Sequence, residues 1–215
     1  MRCMKVLGIS GSPRKDGTTA RLVHKVLEAT GLDFEFISLA GKDVRPCMFC
    51  LGCARDNVCK IKDYVSTVRE SLVEAEAYVV GGCNMWSTLN GLAHNFLERF
   101  YQFHHLDQNP NTGKVGVAVG VGAENGRPPA VLISSMFQEF GIRPLGSVVA
   151  KGVYPCYTCG VGDTCTISNV QGLDAHGNID MSRKPCLDTQ PDVIGHARRM
   201  GERIAAALSS DSSGC

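Results

Sequence analysis

The sequence predicts an α/β protein in which one parallel sheet is covered by helices on both faces. Short apolar stretches typical of buried strands alternate along the chain with stretches whose apolar residues recur at helical spacing. Such alternation is typical of strand–helix–strand crossovers, which place parallel strands side by side. No internal repeat or linker divides the pattern, and 215 residues are within reach of a single domain.

The predicted elements follow one another in a regular order. The first strand, residues 5–10, is apolar nearly throughout, as a central parallel strand would be, and the turn "GSPRKDG" follows it. The helix at 18–30 has Thr18 or Asp16 as a cap and Gly31 beyond its end. The remaining strands are predicted at 33–39, 77–82, 114–122 and 145–150, and the remaining helices at 64–75, 89–103, 129–141 and 191–208. We expect one domain over 1–208, with an irregular cysteine-bearing insertion at 151–189 and a frayed tail at 209–215.

The composition excludes several classes of partner. A formal net charge of +1 gives no electrostatic basis for binding nucleic acid or a membrane surface. No apolar stretch approaches the ~18 residues that a membrane-spanning helix needs. The first residues lead directly into a strand-like run without a signal-peptide cleavage pattern, so we expect a cytoplasmic protein.

The loop after the first strand, "SGSPRKDGTT" (10–19), has the features of a phosphate site. A helix N-terminus presents unpaired N–H groups and partial positive charge, and this loop adds hydroxyls and a guanidinium. The loop matches neither G-x-G-x-x-G nor a Walker P-loop, which counts against a dinucleotide clamp and an NTPase. The alternative is an ordinary turn rich in serine and glycine. The candidate residues are Ser10, Ser12, Arg14, Thr18 and Thr19.

Four cysteines with the spacing C-x2-C-x2-C-x5-C stand in "PCMFCLGCARDNVC" (46–59), within the loop 46–60. Thiolates this close together suit a 4Fe–4S cluster, and the two C-x2-C steps resemble the bacterial ferredoxin run. Zinc is the main alternative, although closed zinc sites usually pair two knuckles across a longer spacer. Disulfides or free thiols are the third alternative, but a reducing compartment and an odd total of 11 cysteines disfavour complete pairing. The candidate metal ligands are Cys47, Cys50, Cys53 and Cys59.

Two motifs carry a family resemblance. "GISGSPRKDGTT" resembles the phosphate loop of the NADPH-dependent FMN reductase family, and together with "CMFCLGCARDNVC" the chain resembles the iron–sulfur flavoprotein branch of that family. The resemblance covers about residues 1–150 and the last helix. It implies a flavodoxin-like, doubly wound, five-stranded parallel sheet of order 2-1-3-4-5. It also implies that the loop 10–19 holds the FMN phosphate and that the four cysteines of the loop 46–60 hold one 4Fe–4S cluster.

The loops after the third and fourth strands are the expected flavin-ring contacts. Members of the family typically carry a Pro-Val-Tyr-like stretch after the third strand, where this chain has Cys83 followed by Asn84, Met85 and Trp86. We expect these last three residues at the flavin ring, largely through their backbone amides; the alternative makes Trp86 a core or interface aromatic. In "GVGAENG", the resemblance implies that Gly120 and Gly122 allow the chain to pass close to the flavin.

A second cysteine set lies in the irregular segment 151–189. It comprises Cys156, Cys159, Cys165 and Cys186, and it repeats part of the first spacing. The two interpretations are a second metal site and a loop that covers the active site or a subunit interface. The sequence favours the second interpretation because the compact motif needs no further cysteines. Cys83 is expected to be a small buried side chain, and His94, His104 and His105 are expected to have solvated or structural roles.

The first hypothesis for function is an FMN- and 4Fe–4S-dependent oxidoreductase that converts between two-electron and one-electron transfer. Its donor would be NAD(P)H or ferredoxin. The second is an FMN dehydrogenase that oxidises a small cyclic metabolite, since one member of the branch is an aminodeoxychorismate dehydrogenase. The third is a zinc-stabilised flavin-binding module without turnover. The resemblance also implies a homodimer or homotetramer.

Overall fold

Five parallel strands form the sheet in the computed structural model, which describes residues 5–170, 173–174 and 176–212. Cys3, Cys215 and the end of the predicted tail, 213–215, lie outside the described residues. The strands are β1 (Val6–Ser10), β2 (Phe34–Ser38), β3 (Ala77–Met85), β5 (Val115–Gly122) and β6 (Arg143–Lys151). Their order is β2-β1-β3-β5-β6, and the short strand β4 (Thr88–Leu89) pairs antiparallel with β3. The predicted order 2-1-3-4-5 is therefore confirmed, with β4 as an addition.

The parallel register brings all carboxyl ends to one edge. In β1, Val6 lies beside Phe34 of β2 and Ala77 of β3, and Ser10 lies beside Ser38 and Gly81. β1 and β5 are buried along their whole length, which explains why their sequences are continuously apolar rather than alternating. The loops that follow the strands consequently meet at a single edge, where ligands of doubly wound folds bind.

Helices cover both faces of the sheet. They are α1 (Thr18–Glu28), α2 (Tyr64–Thr67), α3 (Arg69–Glu74), α4 (Gly91–Glu98), α5 (Arg127–Glu139) and α6 (Pro191–Ser212), and a 3-10 helix at Arg99–Phe103 continues α4. One core joins α1 and α6 to the sheet through side chains such as Leu22, Val26 and Ile204. The other joins the remaining helices through Phe96, Phe100 and Phe137. Among the described residues, no helix combines the length and the hydropathy needed to cross a membrane.

Several predicted boundaries differ from the structure: β3, predicted to end at residue 82, continues to Met85, and three helices differ as follows. The helix predicted at 64–75 is divided at Val68, whose φ of -102° and ψ of 9° end α2 and precede α3. The helix predicted at 89–103 begins later, because Leu89 pairs with Asn84 in the sheet. α6 continues to Ser212, into the tail predicted to fray, and the hydroxyl of Ser209 donates to the Ala205 carbonyl within it.

Candidate functional site

The loop after β1 is tied tightly to the centre of the sheet. The Gly11 N–H donates to the Gly81 carbonyl at 2.7 Å, and the Ser10 carbonyl accepts from Leu39 N–H at 2.9 Å. Ser12 is buried, and its Oγ accepts from Arg14 N–H at 3.1 Å. The start of the loop is thus held on both sides, by β3 and by the residue that follows β2.

The start of α1 offers donors for an anion. Thr18 and Thr19 are its first residues, Gly17 precedes it in an extended conformation, and no described side chain caps it. Ser10 Oγ is fully buried and has no hydrogen-bond partner among the described residues. A buried hydroxyl without a partner and open helix N–H groups are the donor set that a phosphate group uses.

The hairpin between β3 and β4 places an aromatic ring in solvent. Trp86 and Ser87 have φ angles of 53° and 62°, the left-handed pair of a type I′ turn. The side chain of Trp86 is 94% exposed, and that of Met85 is 49% exposed. Trp86 is therefore not a core residue, and two polarizable side chains stand free at the edge where the flavin ring is expected.

Asn90 joins the first and third loops and was missed by the sequence analysis. Its buried side chain donates from Nδ2 to the Gly11 carbonyl at 2.7 Å, and its Oδ1 accepts from Cys83 N–H at 2.9 Å. Burial raises the pKa of the Cys83 thiol, while the nearby charge of Arg14 opposes that effect. The position of Asn90 immediately before α4 resembles a helix cap, but no sequence signal pointed to its contact with Gly11.

The loop after β5 packs closely against its own chain. A Cβ atom on Gly120 would lie 2.0 Å from the Gly126 carbonyl oxygen, and one on Gly122 would lie 2.2 Å from that of Asn125. Both glycines lie buried within β5, and Asn84 Nδ2 donates to the Asn125 carbonyl at 2.6 Å. The glycines thus position the loop 123–126 beside the β3–β4 hairpin. Their contact with a flavin stays a prediction.

The cysteine loop leaves β2 and packs along α4 and the following 3-10 helix. Cys47 N–H donates to Glu98 Oε2 at 3.0 Å, and Cys59 N–H donates to Gln102 Oε1 at 3.1 Å. Between them, Phe49, Leu51 and Asn57 adopt left-handed φ angles of 49°, 56° and 53°. These contacts fix both ends of the loop and fold its middle into tight turns.

The four thiols of this loop differ in burial. Burial raises the pKa of the Cys53 thiol, and the charges of Cys59, Cys47 and Cys50 raise it further. Cys53 is buried, Cys50 is exposed, and the other two are half-buried. In residues 5–170, 173–174 and 176–212, no three His, Cys, Asp or Glu side chains are gathered for a single metal ion. Four thiols in one short loop nevertheless fit an iron–sulfur cluster in donor chemistry and number.

A buried ion pair anchors the cysteine loop, and the sequence analysis did not identify it. Arg99 Nη1 donates to Asp63 Oδ2 at 2.5 Å, and both side chains are fully buried. The same guanidinium donates to the Arg45 carbonyl at 3.1 Å and to the Ile61 carbonyl at 3.4 Å. Burial raises the pKa of Asp63, but hydrogen bonds from Arg99 and from Arg45 N–H outweigh it and hold the pKa below its usual range.

Helix α4 connects the two parts of the site. At its start, Ala93 lies against Gly11, so that a Cβ on Gly11 would be 2.3 Å from the Ala93 Cβ. At its end, Glu98 binds the cysteine loop. The five residue-to-residue steps from Ala93 to Glu98 rise by about 7.5 Å along the helix. The phosphate loop and the cysteine loop therefore flank the same short helix.

An open pocket of about 480 Å³ lies beside the hairpin and the loop 123–126. Its lining residues are Thr88, Asn125, Arg127, Pro128, Val131, Leu132 and Ser135. The pocket combines one guanidinium, two hydroxyls and an apolar wall. A small organic anion with an apolar body would find complementary groups there.

The predicted histidines contact α4 and its surroundings, and the second cysteine set lies elsewhere in the chain. His94 Nδ1 is 3.7 Å from Glu98 Oε1, and His105 N–H donates to Asn57 Oδ1 at 3.3 Å. His104 is exposed at the end of the 3-10 helix. The cysteines 156, 159, 165 and 186 lie between β6 and α6, and all nine described cysteines are free of disulfides.

Known proteins resemble the chain in sequence and in structure. A family model described as NADPH-dependent FMN reductase matches residues 4–153. An iron–sulfur flavoprotein of Methanocaldococcus jannaschii is 34% identical over an alignment of 210 residues that covers 95% of this chain and 97% of that protein. An archaeal flavodoxin superposes with a TM-score of 0.53 at 15% identity, covering 96% of this chain and 99% of that one. An FMN-dependent NADH-azoreductase from Bacillus anthracis, in complex with FMN, superposes with a TM-score of 0.58 at 11% identity, covering 94% of this chain and 99% of that one. At such identities the two structures establish a flavodoxin-like fold alone.

Proposed function

This chain belongs to the NADPH-dependent FMN reductase family, in its iron–sulfur flavoprotein branch, and from that premise we propose that it passes electrons between FMN and a 4Fe–4S cluster. As a member of the family it is a flavin-dependent oxidoreductase. When bound, FMN exchanges one or two electrons and the cluster exchanges one. The observation that carries the proposal is the short helix α4, which contacts the phosphate loop at one end and the cysteine loop at the other.

In the proposed site, the chain's own residues position both groups. The N–H groups at the start of α1, with Ser10, Ser12, Thr18 and Thr19, hold the FMN phosphate, and Arg14 adds positive charge. Asn84, Met85 and Trp86 approach the flavin ring from the hairpin, and Gly120 and Gly122 position the neighbouring loop. Cys47, Cys50, Cys53 and Cys59 ligate the cluster, and Arg99 and Gln102 hold their loop in place.

The electron donor and the assembly belong to the same proposal. We consider two electron donors. The FMN reductase family suggests NAD(P)H, and its iron–sulfur branch suggests ferredoxin. Exposed Met48, Phe49 and Leu51 surround the cysteines and offer an apolar surface to a redox protein or a second subunit. A homodimer or homotetramer and a cytoplasmic location stay predictions from the sequence.

Anaerobic purification of the full chain tests the two cofactors. We expect flavin absorption bands on top of a broad iron–sulfur absorption. A Cys50→Ala variant should lose the broad component and keep the flavin bands, whereas a matched Cys83→Ala variant should keep both. A Cys50→Ala protein with its full iron and sulfide content would remove the cysteine loop from the proposal, and zinc in place of iron would favour a zinc-stabilised module.

The only tryptophan of the chain tests the position of the flavin. Because Trp86 is exposed, adding FMN to flavin-free protein should quench its fluorescence if the hairpin lies at the flavin ring. Unchanged emission at saturating FMN would place the ring elsewhere.

The pocket beside the hairpin supports a second candidate, a dehydrogenase acting on a small cyclic acid such as aminodeoxychorismate. Arg127 would bind a carboxylate there, and Val131 and Leu132 would contact the ring. Bleaching of the flavin by such an acid without NAD(P)H or ferredoxin would favour this candidate. Bleaching by NAD(P)H or reduced ferredoxin alone would favour the electron-transfer function.

A further inference from the structure

Asn90 completes the β3–β4 hairpin with its side chain. Asn84 pairs with Leu89 in the hairpin, and the next two residues away from the turn are Cys83 and Asn90. The Asn90 N–H donates to the Cys83 carbonyl at 3.0 Å, as in an antiparallel pair. The return hydrogen bond runs from the Cys83 N–H to Asn90 Oδ1, at 2.9 Å. The side-chain oxygen of Asn90 thus takes the place of its backbone carbonyl in the pairing.

The backbone carbonyl of Asn90 serves the helix instead. It accepts the His94 N–H at 3.1 Å, the first hydrogen bond of α4. Asparagine commonly caps a helix by accepting from its first N–H groups, but the side chain of Asn90 makes no such bond to α4. Its amide is bound to the hairpin and to the phosphate loop, so its role goes beyond starting the helix.

The nitrogen of the same amide holds the phosphate loop. Asn90 Nδ2 donates to the Gly11 carbonyl at 2.7 Å, and the Gly11 N–H donates to the Gly81 carbonyl at 2.7 Å. Both backbone polar groups of Gly11 are therefore bound by the third strand or its hairpin. Gly11 is buried and Asn90 is only 4% exposed, so loss of the Asn90 donor would leave a buried carbonyl unsatisfied.

The two segments that Asn90 joins are proposed to hold opposite ends of one ligand. The loop 10–19 would hold the FMN phosphate, and Asn84, Met85 and Trp86 would lie at the flavin ring. Both ends of FMN can bind together only when these segments keep a matching separation. A side chain that is itself locked by hydrogen bonds can fix such a separation before the ligand binds.

We propose that Asn90 is a positioning residue for FMN, whose amide sets the loop 10–19 and the β3–β4 hairpin at the separation that FMN needs. This role rests on the proposed function and acts through Gly11 and Cys83, without contact between Asn90 and FMN. Two substitutions divide it. Asn90→Asp keeps the acceptor for Cys83 but places a second acceptor at the Gly11 carbonyl, and Asn90→Leu removes both hydrogen bonds at similar size.

Hydrogen exchange in flavin-free full chain tests the link without any cofactor. In the wild type, the Cys83 N–H and the side-chain amide protons of Asn90 should exchange slowly, because all of them are buried or bonded. The Cys83 N–H should stay protected in Asn90→Asp and exchange about tenfold faster in Asn90→Leu. Exchange of the wild-type Cys83 N–H at the rate of an exposed amide would overturn the proposed role.

FMN titration separates positioning from general stability. Asn90→Asp and Asn90→Leu should each bind FMN about tenfold more weakly than the wild type, and bound FMN should quench Trp86 fluorescence less at saturation. Because Asn90→Leu adds no charge, its weaker binding cannot come from repulsion of the FMN phosphate.

The matched control is Asn95→Asp. Asn95 Nδ2 donates to the Val44 carbonyl at 3.0 Å, so the same kind of donor is lost from the same helix, away from Gly11 and Cys83. FMN affinity and Trp86 quenching should match the wild type in this variant.

Wild-type FMN affinity in both Asn90 variants would overturn the proposed role, and so would an equal loss of affinity in Asn95→Asp. These outcomes leave the proposed function standing, because the wild-type chain still binds FMN. A wild-type chain that binds no FMN would instead overturn the proposed function, and the role of Asn90 with it.

Discussion

Replacing Arg99 with methionine should destabilise the protein strongly, because the guanidinium is fully buried against Asp63. The change removes two hydrogen bonds to the carbonyls of Arg45 and Ile61, each contributing about 0.5–1.5 kcal/mol. It also leaves the carboxylate of Asp63 buried without its partner. Removing one member of a buried pair costs about 3–5 kcal/mol, and we expect a loss in that range.

The matched control is Lys25→Met, which removes the exposed ion pair with Glu28. Such a pair contributes about 0.2–1 kcal/mol. Urea unfolding at pH 7, followed by circular dichroism, should therefore separate the two variants clearly. Limited proteolysis should also cleave the loop 46–60 faster in Arg99→Met, because Arg99 holds the chain on both sides of the cysteines. A folded Arg99→Met protein within about 1 kcal/mol of wild type would refute this reasoning.

The difference in unfolding free energy between wild type and Arg99→Met should depend on pH, and the direction of this dependence follows from the pKa of Asp63. The pKa of Asp63 is lowered in the folded protein, so the pair stabilises the fold above the unfolded value of about 3.9. That contribution is lost as the pH falls through the lowered folded pKa. The difference in unfolding free energy between wild type and Arg99→Met should therefore become smaller below about pH 4.

Three further predictions concern the core and the flavin edge. Burial lowers the pKa of Lys114 to about 8. Between pH 8 and the ordinary pKa of 10.5 the unfolded chain therefore binds more protons than the folded protein, so the free energy of unfolding should rise with pH in this window. The rise should be smaller in Lys114→Met, which lacks the titrating amine. Gly120→Ala should lower the free energy of unfolding by about 1–3 kcal/mol and reduce FMN retention, because the new Cβ would meet the carbonyl of Gly126. The control Gly91→Ala has open space around the new Cβ, so in the same urea assay it should be neutral or stabilising by about 0.4–1 kcal/mol. Because Trp86 is exposed, Trp86→Ala should change the free energy of unfolding by no more than about 0.5 kcal/mol. It should nevertheless weaken FMN binding by about 0.5–1.5 kcal/mol in a fluorescence or calorimetric titration. Equal FMN affinity of the variant and the wild type would contradict a contact between Trp86 and the flavin ring.

The alternation of apolar strands with amphipathic helices was sufficient to predict a parallel sheet covered by helices on both faces. Continuous burial of β1 and β5 leaves a local signature, because neither face of these strands meets water. The phosphate loop and the cysteine motif were also visible, since each lies within one short stretch of the chain. The start of α4 at Gly91 was not visible, because the pairing of Leu89 with Asn84 overrode helical spacing.

Only the tertiary structure decided how these local motifs are held and joined. Asn90 links Gly11 to Cys83, and Arg99 links the two sides of the cysteine loop, through hydrogen bonds between residues far apart in the chain. Such contacts depend on three-dimensional packing and leave no periodic pattern in the sequence. By itself the sequence thus determined the alternation of strands and helices and the cysteine spacing, and its resemblance to a known family supplied the sheet order and the candidate phosphate loop. The structure decided that one short helix, α4, contacts both loops, because parallel strands bring distant segments to one edge.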